Sequence, residues 1–313
     1  MTQSAAVLPS VGTAGPVLEW EQVACNLCGS DRPEVFHREQ LPYFGVSLEF
    51  TIVRCRECGL VYTNPRLGDY NATYQAGFCE SAEEIEAHAS AKQPVFATAL
   101  RSIKDQQRAL GVQSGGRLLD LGSGTGHFLK AAGQAGFEST GVEPAGAPMR
   151  YATDVLGMRV HHTDLYRAVL PSDHFDVITA WDVFEHVSDP CRMLHRCMHW
   201  LKPGGFLAMR FPSARFQKIK GVLLHMLLRM QRPVFSPTMH LYFFDDHTLR
   251  AMCHKVGLEL VSARTTPLEY NAAEPWLNLG KRLAGCSLVL AERIVRRPLG
   301  NLEVICRRPG SLC

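Results

Sequence analysis

Residues 118–129 read LLDLGSGTGHFL, and this stretch decides the fold. An apolar run at Leu118 and Leu119 ends on an acid, Asp120, and glycines follow at positions 122, 124 and 126 before a helix-like stretch begins. A strand that enters a glycine-rich turn at the start of a helix typically binds an anionic group, because the turn presents backbone N–H groups. The pattern therefore predicts a cofactor site at this turn.

Strand and helix patterns alternate from about residue 116 onward. RLLDLG, ESTGVEP, RVHHTD and FLAMRFPS read as strands, GHFLKAAGQAG and GAPMRYATDVLG read as helices, and FDVITAWDVFEH reads as a strand running into a helix. Such alternation predicts an α/β fold with a doubly wound, mostly parallel sheet, whose ligands bind outside the carboxyl ends of the strands. The glycine turn, Glu143, Asp164 and Asp182 all fall at such ends, so we expect them to share one crevice.

The glycine spacing distinguishes between cofactors. A dinucleotide fingerprint requires G-x-G-x-x-G, but after Gly122 and Gly124 the third position is His127, and the third glycine comes early, at Gly126. Asp120 would repel a pyrophosphate but would attract an ammonium or a sulfonium, and Glu143 at the next strand end can accept from both hydroxyls of a ribose. The turn therefore predicts an adenosine with a cationic tail, and S-adenosylmethionine matches that description.

Motifs along residues 116–309 resemble those of class I S-adenosylmethionine-dependent methyltransferases. The matching stretches, in the order of the family, are LLDLGSGTGHF, GVEP, HTDL, FDVITAWDVFEHVSDP, LKPGGFLAMRFPS and HLYFFDDHTLRAMCHKVGLELV. The resemblance implies a seven-stranded, Rossmann-like methyltransferase sheet. It also implies that an acceptor is methylated, and we expect a small molecule of an apolar or natural-product-like kind, methylated on oxygen or carbon.

The same resemblance assigns cofactor-binding residues. It implies that Asp120 and the backbone at Gly122, Gly124 and Gly126 bind the methionyl part, and that Glu143 binds the ribose. Asp164 would accept from the adenine amine while the backbone of Leu165 donates to the ring. Asp182, at the following strand end, is included in this set. These cofactor-binding residues are Asp120, Gly122, Gly124, Gly126, Glu143, Asp164, Leu165 and Asp182.

Two matched cysteine pairs precede the sheet, in CNLCGS and CRECGL. Cys25, Cys28, Cys55 and Cys58 can supply the four thiolates that a structural Zn²⁺ prefers, whereas a redox dithiol would explain only one of the pairs. The stretches PEVFHREQ and SLEFTIVRC between them alternate like strands, which predicts a ribbon closed by the metal. This ribbon resembles a front module on one bacterial subset of these methyltransferases.

These patterns divide the chain into four parts. We predict a flexible tail over residues 1–18, a zinc ribbon over 19–66, a helical linker over 67–110 that is interrupted near Pro94, and the methyltransferase domain over 111–313. A lid insertion is expected at 214–240. Within it, residues 215–233 carry an apolar helical stripe, which predicts either a lid packed on the domain or contact with an apolar acceptor or a membrane surface.

Candidate catalytic residues follow the fourth strand in WDVFEHVSDP. If a helix starts there, Asp182, Glu185 and His186 lie on one face. The spacing resembles the E-x-x-E-H pattern of ubiquinone-pathway O-methyltransferases, in which the triad binds a divalent ion; a shorter Asp stands first here. One alternative is that His186, beside the two carboxylates, acts as a general base with a raised pKa, and another is that Glu185 and His186 only brace the strand end. His240 is expected either to line the acceptor pocket or to pack beside it.

Composition limits the remaining classes. The 313 residues carry a net charge of +3, and the ribbon mixes acids and bases, so nucleic-acid binding is not favoured. The chain has neither an apolar run of ~18 residues nor a secretion signal, so we expect a cytoplasmic protein. The alternatives are a zinc-ribbon nucleic-acid binder or RNA methyltransferase, an NAD(P)-dependent oxidoreductase, and a non-catalytic scaffold. The oligomeric state is left open.

Overall fold

The computed structural model describes residues 19–43, 46–68, 81–214, 216–218, 234–235, 237–266 and 300–310. The predicted tail, nearly all of the 215–233 stripe and a second apolar stretch at 276–297 lie outside these residues. The thirteen strands within them are β1 (Trp20–Glu21), β2 (Pro33–Tyr43), β3 (Val46–Cys55), β4 (Val61–Thr63), β5 (Arg66–Leu67), β6 (Gly116–Leu121), β7 (Phe137–Glu143), β8 (Val160–His162), β9 (Phe175–Trp181), β10 (Leu201–Phe211), β11 (Tyr242–Phe243), β12 (Glu259–Thr265) and β13 (Leu302–Arg307).

Seven strands form the main sheet, in the order β12-β13-β10-β9-β6-β7-β8. All neighbours are parallel except β13, which is antiparallel to both β10 and β12. This confirms the predicted doubly wound, mostly parallel sheet. The chain order reverses at β6, which lies between β9 and β7, so the crevice of a doubly wound sheet opens at the end of this strand.

The helices are α1 (Ala82–Ala109), α2 (His127–Gln134), α3 (Gly146–Arg150), α4 (Pro190–Trp200) and α5 (Asp246–Lys255), and a π-helical turn, Tyr151–Val155, extends α3. Asp245 caps α5 by accepting from the backbone N–H of Thr248 at 2.8 Å. Within the described part of the chain, no helix has the length and apolar character needed to cross a bilayer.

Helix α1 runs without a break through Pro94, so the predicted interruption is wrong. Pro94 is exposed, whereas Val95, Phe96, Leu100 and Ile103 on the other side of the helix are buried. A proline inside a helix costs about 3 kcal/mol, and each buried apolar side chain contributes roughly 1.5–3 kcal/mol. Packing of the buried face therefore outweighs the break signal.

The stretch after β9 is a loop, and the predicted helix start at Asp182 is wrong. Asp182 has a φ of +57°, which ends the strand without starting a helix, and α4 begins only at Pro190. Proline favours the first helical position and drives the residue before it out of the helical region, and Asp189 accordingly caps α4. Asp182, Glu185 and His186 therefore do not share a helical face.

The cysteine-bearing ribbon shares a sheet with the larger domain. Strands β2, β3 and β4 form an antiparallel sheet whose fourth member is β11, in the order β11-β4-β3-β2. In this pairing Tyr242 lies opposite Tyr62 and Phe243 lies opposite Val61. One hydrophobic core contains both the ribbon residue Leu60 and Phe184 of the larger domain. The ribbon therefore packs as part of the catalytic domain's own core.

Candidate active site

The glycine turn follows β6 directly. Gly122 has a φ of +64°, and a Cβ added there would lie 2.8 Å from a methyl carbon of Val183, so the turn needs glycine for both conformation and space. Asp120 is buried within the strand just before it and accepts from the Thr179 hydroxyl at 2.6 Å. Burial, with a smaller contribution from the charge of Glu143, raises the pKa of Asp120 to about 8, against the lowering effect of the Thr179 hydrogen bond.

Glu143 is fully buried at the end of β7. Its carboxylate accepts from the backbone N–H of Gly124 and from that of Ala145, each at 2.8 Å. These two bonds partly offset the effect of burial, which raises the pKa of Glu143. A carboxylate has about four acceptor positions, so Glu143 fixes the glycine turn and retains capacity for further donors.

A cavity with an empty volume of about 770 Å³ opens at the switch point of the sheet. Its lining includes Gly122, Asp164, Leu165, Asp182 and His186, which come from three different strand ends. Gly122 of the glycine turn, Asp164 and Asp182 therefore share one crevice, as predicted, whereas Glu143 does not line it. Asp120, Gly124 and Gly126 are also absent from this lining.

Asp182 belongs to a charged network of its own. Its carboxylate accepts from the Arg210 guanidinium at 3.1 Å and lies 3.6 Å from the Lys92 ammonium. Arg210 is buried at the end of β10, and Lys92 comes from α1. Sequence reasoning missed both cations. An arginine inside the apolar strand stretch FLAMRF was the available signal for Arg210, because a buried charge requires a partner.

The structure groups Glu185 and His186 with His240 rather than with Asp182. One ligand atom from each of the three lies within 4.8 Å of the others, and the two imidazole rings are 4.9 Å apart. His186 contacts the carbonyl oxygen of Met239 through Nδ1. That contact assigns the proton to Nδ1 and leaves the lone pair on Nε2, which lies 3.9 Å from Glu185.

Burial dominates the protonation of this cluster. Glu185 is 1% exposed, and neither of its carboxyl oxygens accepts a side-chain or backbone hydrogen bond from the described residues. Burial, followed by the negative charge of Asp182, raises the pKa of Glu185 well above its usual value. The expected rise in the pKa of His186 is wrong, because burial lowers it, although the bond to Met239 acts in the opposite direction. His186 is therefore uncharged at neutral pH, and burial favours the protonated form of Glu185.

The four ribbon cysteines come together at two matching turns. Sγ of Cys25 lies 3.4 Å from that of Cys58, and Sγ of Cys28 lies 3.5 Å from that of Cys55. Gly29 and Gly59 follow the two pairs at the same position, with φ values of +77° and +78°. Burial opposes ionisation of Cys55, but backbone N–H groups of Cys58 and Glu57 lower its pKa to about 7. Tetrahedral zinc with Zn–S bonds of ~2.3 Å separates its sulfurs by about 3.8 Å, so the cluster fits this ion.

Known proteins share this architecture. The family model for a methyltransferase domain matches residues 97–263, which is more than half of the chain. The ubiquinone biosynthesis O-methyltransferase of Nitrobacter winogradskyi is 34% identical over 115 residues, covering 35% of this chain and 44% of that protein. The protein of the same name from Bordetella avium is 29% identical, covering 53% of this chain and 70% of that protein. The match to the first relative thus spans less than half of its length.

Solved structures agree on the fold. A phosphoethanolamine N-methyltransferase 2 from Haemonchus contortus, in complex with S-adenosyl-L-methionine, superposes with a TM-score of 0.53 at 14% identity, covering 80% of this chain and 63% of that one. A chain from the complex of the Haloferax volcanii Trm112 methyltransferase activator with a methyltransferase gives a TM-score of 0.51 at 16% identity, covering 77% and 98%. With its glycine turn, switch-point cavity and seven-stranded sheet, the chain belongs to the methyltransferase domain family.

Proposed function

We propose that this protein is an S-adenosylmethionine-dependent methyltransferase that acts on the hydroxyl group of a small-molecule acceptor. The observation that supports this most is the cavity at the switch point, because the glycine turn and His186 line the same space. A donor bound at the turn and an acceptor beside His186 would therefore meet. The O-methyltransferase names of the sequence relatives support oxygen over carbon as the methylated atom.

The cofactor residues take the roles predicted from the sequence. Asp120 and the backbone of Gly122, Gly124 and Gly126 would bind the methionyl part, and Glu143 would bind the ribose. Asp164, Leu165 and Asp182 line the cavity that would receive the remainder of the cofactor. When bound, the cofactor supplies a methyl group already activated by its sulfonium, so the protein needs only to align the acceptor and remove one proton.

His186 would remove that proton. Its lowered pKa makes the ring uncharged at neutral pH, and the Nδ1 contact with Met239 leaves Nε2 as the basic atom. The acceptor O–H would transfer its proton to Nε2 as the oxygen forms its bond to the methyl carbon, while the electrons of the broken S–C bond remain on sulfur. Glu185 would lie 3.9 Å from the resulting imidazolium, and His240 would border the acceptor.

A general base suits this cluster better than a magnesium ion. Mg²⁺ requires mainly oxygen ligands, whereas Glu185, His186 and His240 offer two imidazoles and one carboxyl group. Asp182, the fourth candidate, already pairs with Arg210 and Lys92. We therefore expect turnover to be unchanged by Mg²⁺ and by a chelator too weak to extract ribbon zinc. Loss of turnover on chelation, with recovery on adding Mg²⁺, would instead assign the cluster to a metal.

The ribbon would bind one structural Zn²⁺ through Cys25, Cys28, Cys55 and Cys58. All four ligands come from the protein, so the ion would stabilise the ribbon and take no part in the chemistry. Elemental analysis of gently purified protein should find one zinc per chain. Cys55→Ser should lose the ion, and Cys313→Ser, outside both pairs, should retain it. Wild-type protein without zinc would reject this assignment.

Calorimetry and labelled methyl transfer test the proposed function. S-adenosylhomocysteine should bind at about micromolar strength, roughly −8 kcal/mol, while NADH should not bind. Methyl-labelled cofactor should then label hydroxylated aromatic compounds in a panel that also contains carbon acids, amines and total RNA. A failure to bind S-adenosylhomocysteine would reject the methyltransferase proposal, and label in RNA alone would favour the RNA methyltransferase alternative.

A further inference from the structure

Two segments of the catalytic domain carry the proposed acceptor-side residues. The first is the His186 loop, residues 182–189, and the second is the His240 segment, residues 239–243. The carbonyl oxygen of Glu185 accepts from the backbone N–H of Leu241 at 2.7 Å and from that of Tyr242 at 3.2 Å. His186 contacts Met239. The two segments are therefore fixed to each other, and displacement of one displaces the other.

The ribbon binds the His240 segment through main-chain pairing. The backbone N–H of Thr63 donates to the carbonyl of Leu241 at 2.9 Å, and its hydroxyl donates to the carbonyl of His240 at 3.1 Å. These bonds continue the pairing of β4 with β11. A strand that begins three residues after Cys58 thus determines the position of the main chain at His240.

Arg66 connects the ribbon to both segments. Its guanidinium donates through Nη1 to the carbonyl of Ser188 at 3.0 Å and to the hydroxyl of Tyr242 at 3.2 Å, and through Nε to Glu21 at 2.6 Å. The Tyr242 hydroxyl also donates to the Ser188 carbonyl, at 3.0 Å. Arg66 is buried, and Ser188 lines the cavity. A buried arginine is stable only when several acceptors compensate its charge, and here two of them belong to the acceptor side.

We propose that Arg66 is a positioning residue for methyl transfer, and that the ribbon thereby forms the wall that orients the acceptor and His186. This inference rests on the proposed role of His186 as the base. The cofactor side of the cavity, meaning the glycine turn with Asp120 and Glu143, is supported without the ribbon. Asp120 accepts from Thr179, and Glu143 accepts from Gly124 and Ala145, all within the main domain. The ribbon strand β5 also leads directly into Gly68, which lines the cavity. Arg66 therefore acts on transfer and acceptor binding and leaves cofactor affinity unchanged.

The test compares Arg66→Lys and Arg66→Met with the wild type in the full, zinc-loaded chain. Lysine keeps the charge but cannot donate to three acceptors in a planar fork, so both variants should lower kcat by about tenfold or more. S-adenosylhomocysteine affinity should stay within about twofold. Loosening of the His186 loop should also hydrate its imidazole, so the pKa of His186 should rise towards the ordinary value and the acidic limb of the pH–rate profile should move to higher pH.

Two further variants keep the test decisive. Arg38→Met removes a surface ion pair with Glu49 on the same ribbon sheet, and it should leave kcat and the pH profile unchanged. Tyr242→Phe removes one hydroxyl that both accepts from Arg66 and donates to Ser188, so it should lower kcat and raise the pKa of His186 as the Arg66 variants do, but less strongly. It takes their place in the test if the Arg66 variants do not fold.

NMR titration of the His186 ring distinguishes this proposal from the proposed function. The pKa of His186 can be measured without any acceptor, so the shift is readable even if the wild type transfers no methyl group. A higher His186 pKa in the Arg66 or Tyr242 variants supports the positioning role. An unchanged His186 pKa and kcat in folded variants would overturn it, as would a loss of cofactor affinity that equals the loss of rate. Absence of cofactor binding by the wild type would instead reject the proposed function.

Discussion

The two sides of the cavity are built in different ways. On the cofactor side, the glycine turn is fixed by main-chain geometry and by acids on adjacent parallel strands, as in the bond from Gly124 to Glu143. On the acceptor side, the His186 loop has no regular structure and depends on the His240 segment and on Arg66, which lie far away in the sequence. The cofactor side is therefore supported by the sheet itself, whereas the acceptor side is supported from outside the sheet. This difference predicts that mutations can separate methyl transfer from cofactor binding.

The largest separation should come from His186→Ala. Loss of a general base lowers kcat by roughly 10²–10⁴-fold, while S-adenosylhomocysteine should bind as it does to the wild type because the glycine turn is independent of the ring. Turnover assays and calorimetry on the same preparation measure both quantities. His195→Ala is the matched control, since His195 is exposed on α4. If His186→Ala lost S-adenosylhomocysteine affinity in proportion to its loss of kcat, the two sides of the cavity would not be independent, which would contradict the comparison.

The same difference explains what the sequence could predict. The main sheet and the crevice at its switch point were predictable because each strand, turn and acid is encoded locally, and parallel strands bring their carboxyl ends together. The cysteine cluster was predictable for the same reason, since each pair lies within one turn.

The acceptor side was predicted only in part. His186, Glu185 and His240 were named as candidates, but the helical face that was to include Asp182 does not exist. The φ of +57° at Asp182 and its pairing with Arg210 depend on the neighbouring strand, and Lys92 and Arg66 arrive from other parts of the chain. Local spacing cannot report such contacts, so the Asp182 network and the ribbon's shared strand β11 emerged only from the fold.

Glu143→Ala should be the next largest effect, and it should act on the cofactor side alone. Removal of a charged acceptor costs about 1–3 kcal/mol, so S-adenosylhomocysteine should bind roughly 5- to 150-fold more weakly. The backbone N–H groups of Gly124 and Ala145 also lose their partner, so the melting temperature should fall. Glu138→Ala, an exposed acid on the same strand, is the control. Unaltered affinity in the Glu143 variant would remove this residue from the cofactor site.

Asp120 should make cofactor binding depend on pH. Burial raises its pKa to about 8, so the free protein has a protonated Asp120 at pH 7. A bound cationic group favours the ionised form, so binding at pH 7 should release close to one proton, and the Asp120-linked part of the affinity should be about tenfold weaker at pH 7 than at pH 9. Calorimetry in two buffers of different ionisation enthalpy measures the released proton.

Asp120→Asn is the control for this proton, since an amide cannot release one. The free cofactor is the same in both experiments, so a difference in proton release between the two proteins comes from residue 120 and from its effect on the bound amino group. Equal proton release by the two proteins would show that Asp120 does not respond to the cofactor's charge. The cofactor side would then rely on main-chain geometry alone, which would sharpen its contrast with the acceptor side.

The smallest effect should come from Glu86, which links α1 to the glycine turn. Its carboxylate accepts from the Tyr151 hydroxyl at 2.5 Å and lies 3.1 Å from Nε2 of His127, whose Nδ1 is 2.9 Å from the Thr125 hydroxyl. The hydrogen bond from Tyr151 and then that from His127 lower the pKa of Glu86. Exposed pairs of this kind contribute about 0.2–1 kcal/mol, so Glu86→Gln should weaken S-adenosylhomocysteine binding by no more than about fivefold, through faster dissociation.

Glu83→Gln controls for the charge at the start of α1. Both substitutions remove one negative charge from the first turns of the helix, where it interacts favourably with the helix dipole, but Glu83 is exposed and does not reach the glycine turn. Stopped-flow dissociation of the cofactor product should therefore be faster for Glu86→Gln than for Glu83→Gln, with kcat falling less than after loss of His186. Identical dissociation rates in the two variants would mean that α1 covers the cofactor side without restraining it. The sheet alone would then support the cofactor side and the ribbon would support the acceptor side, with no contribution from α1.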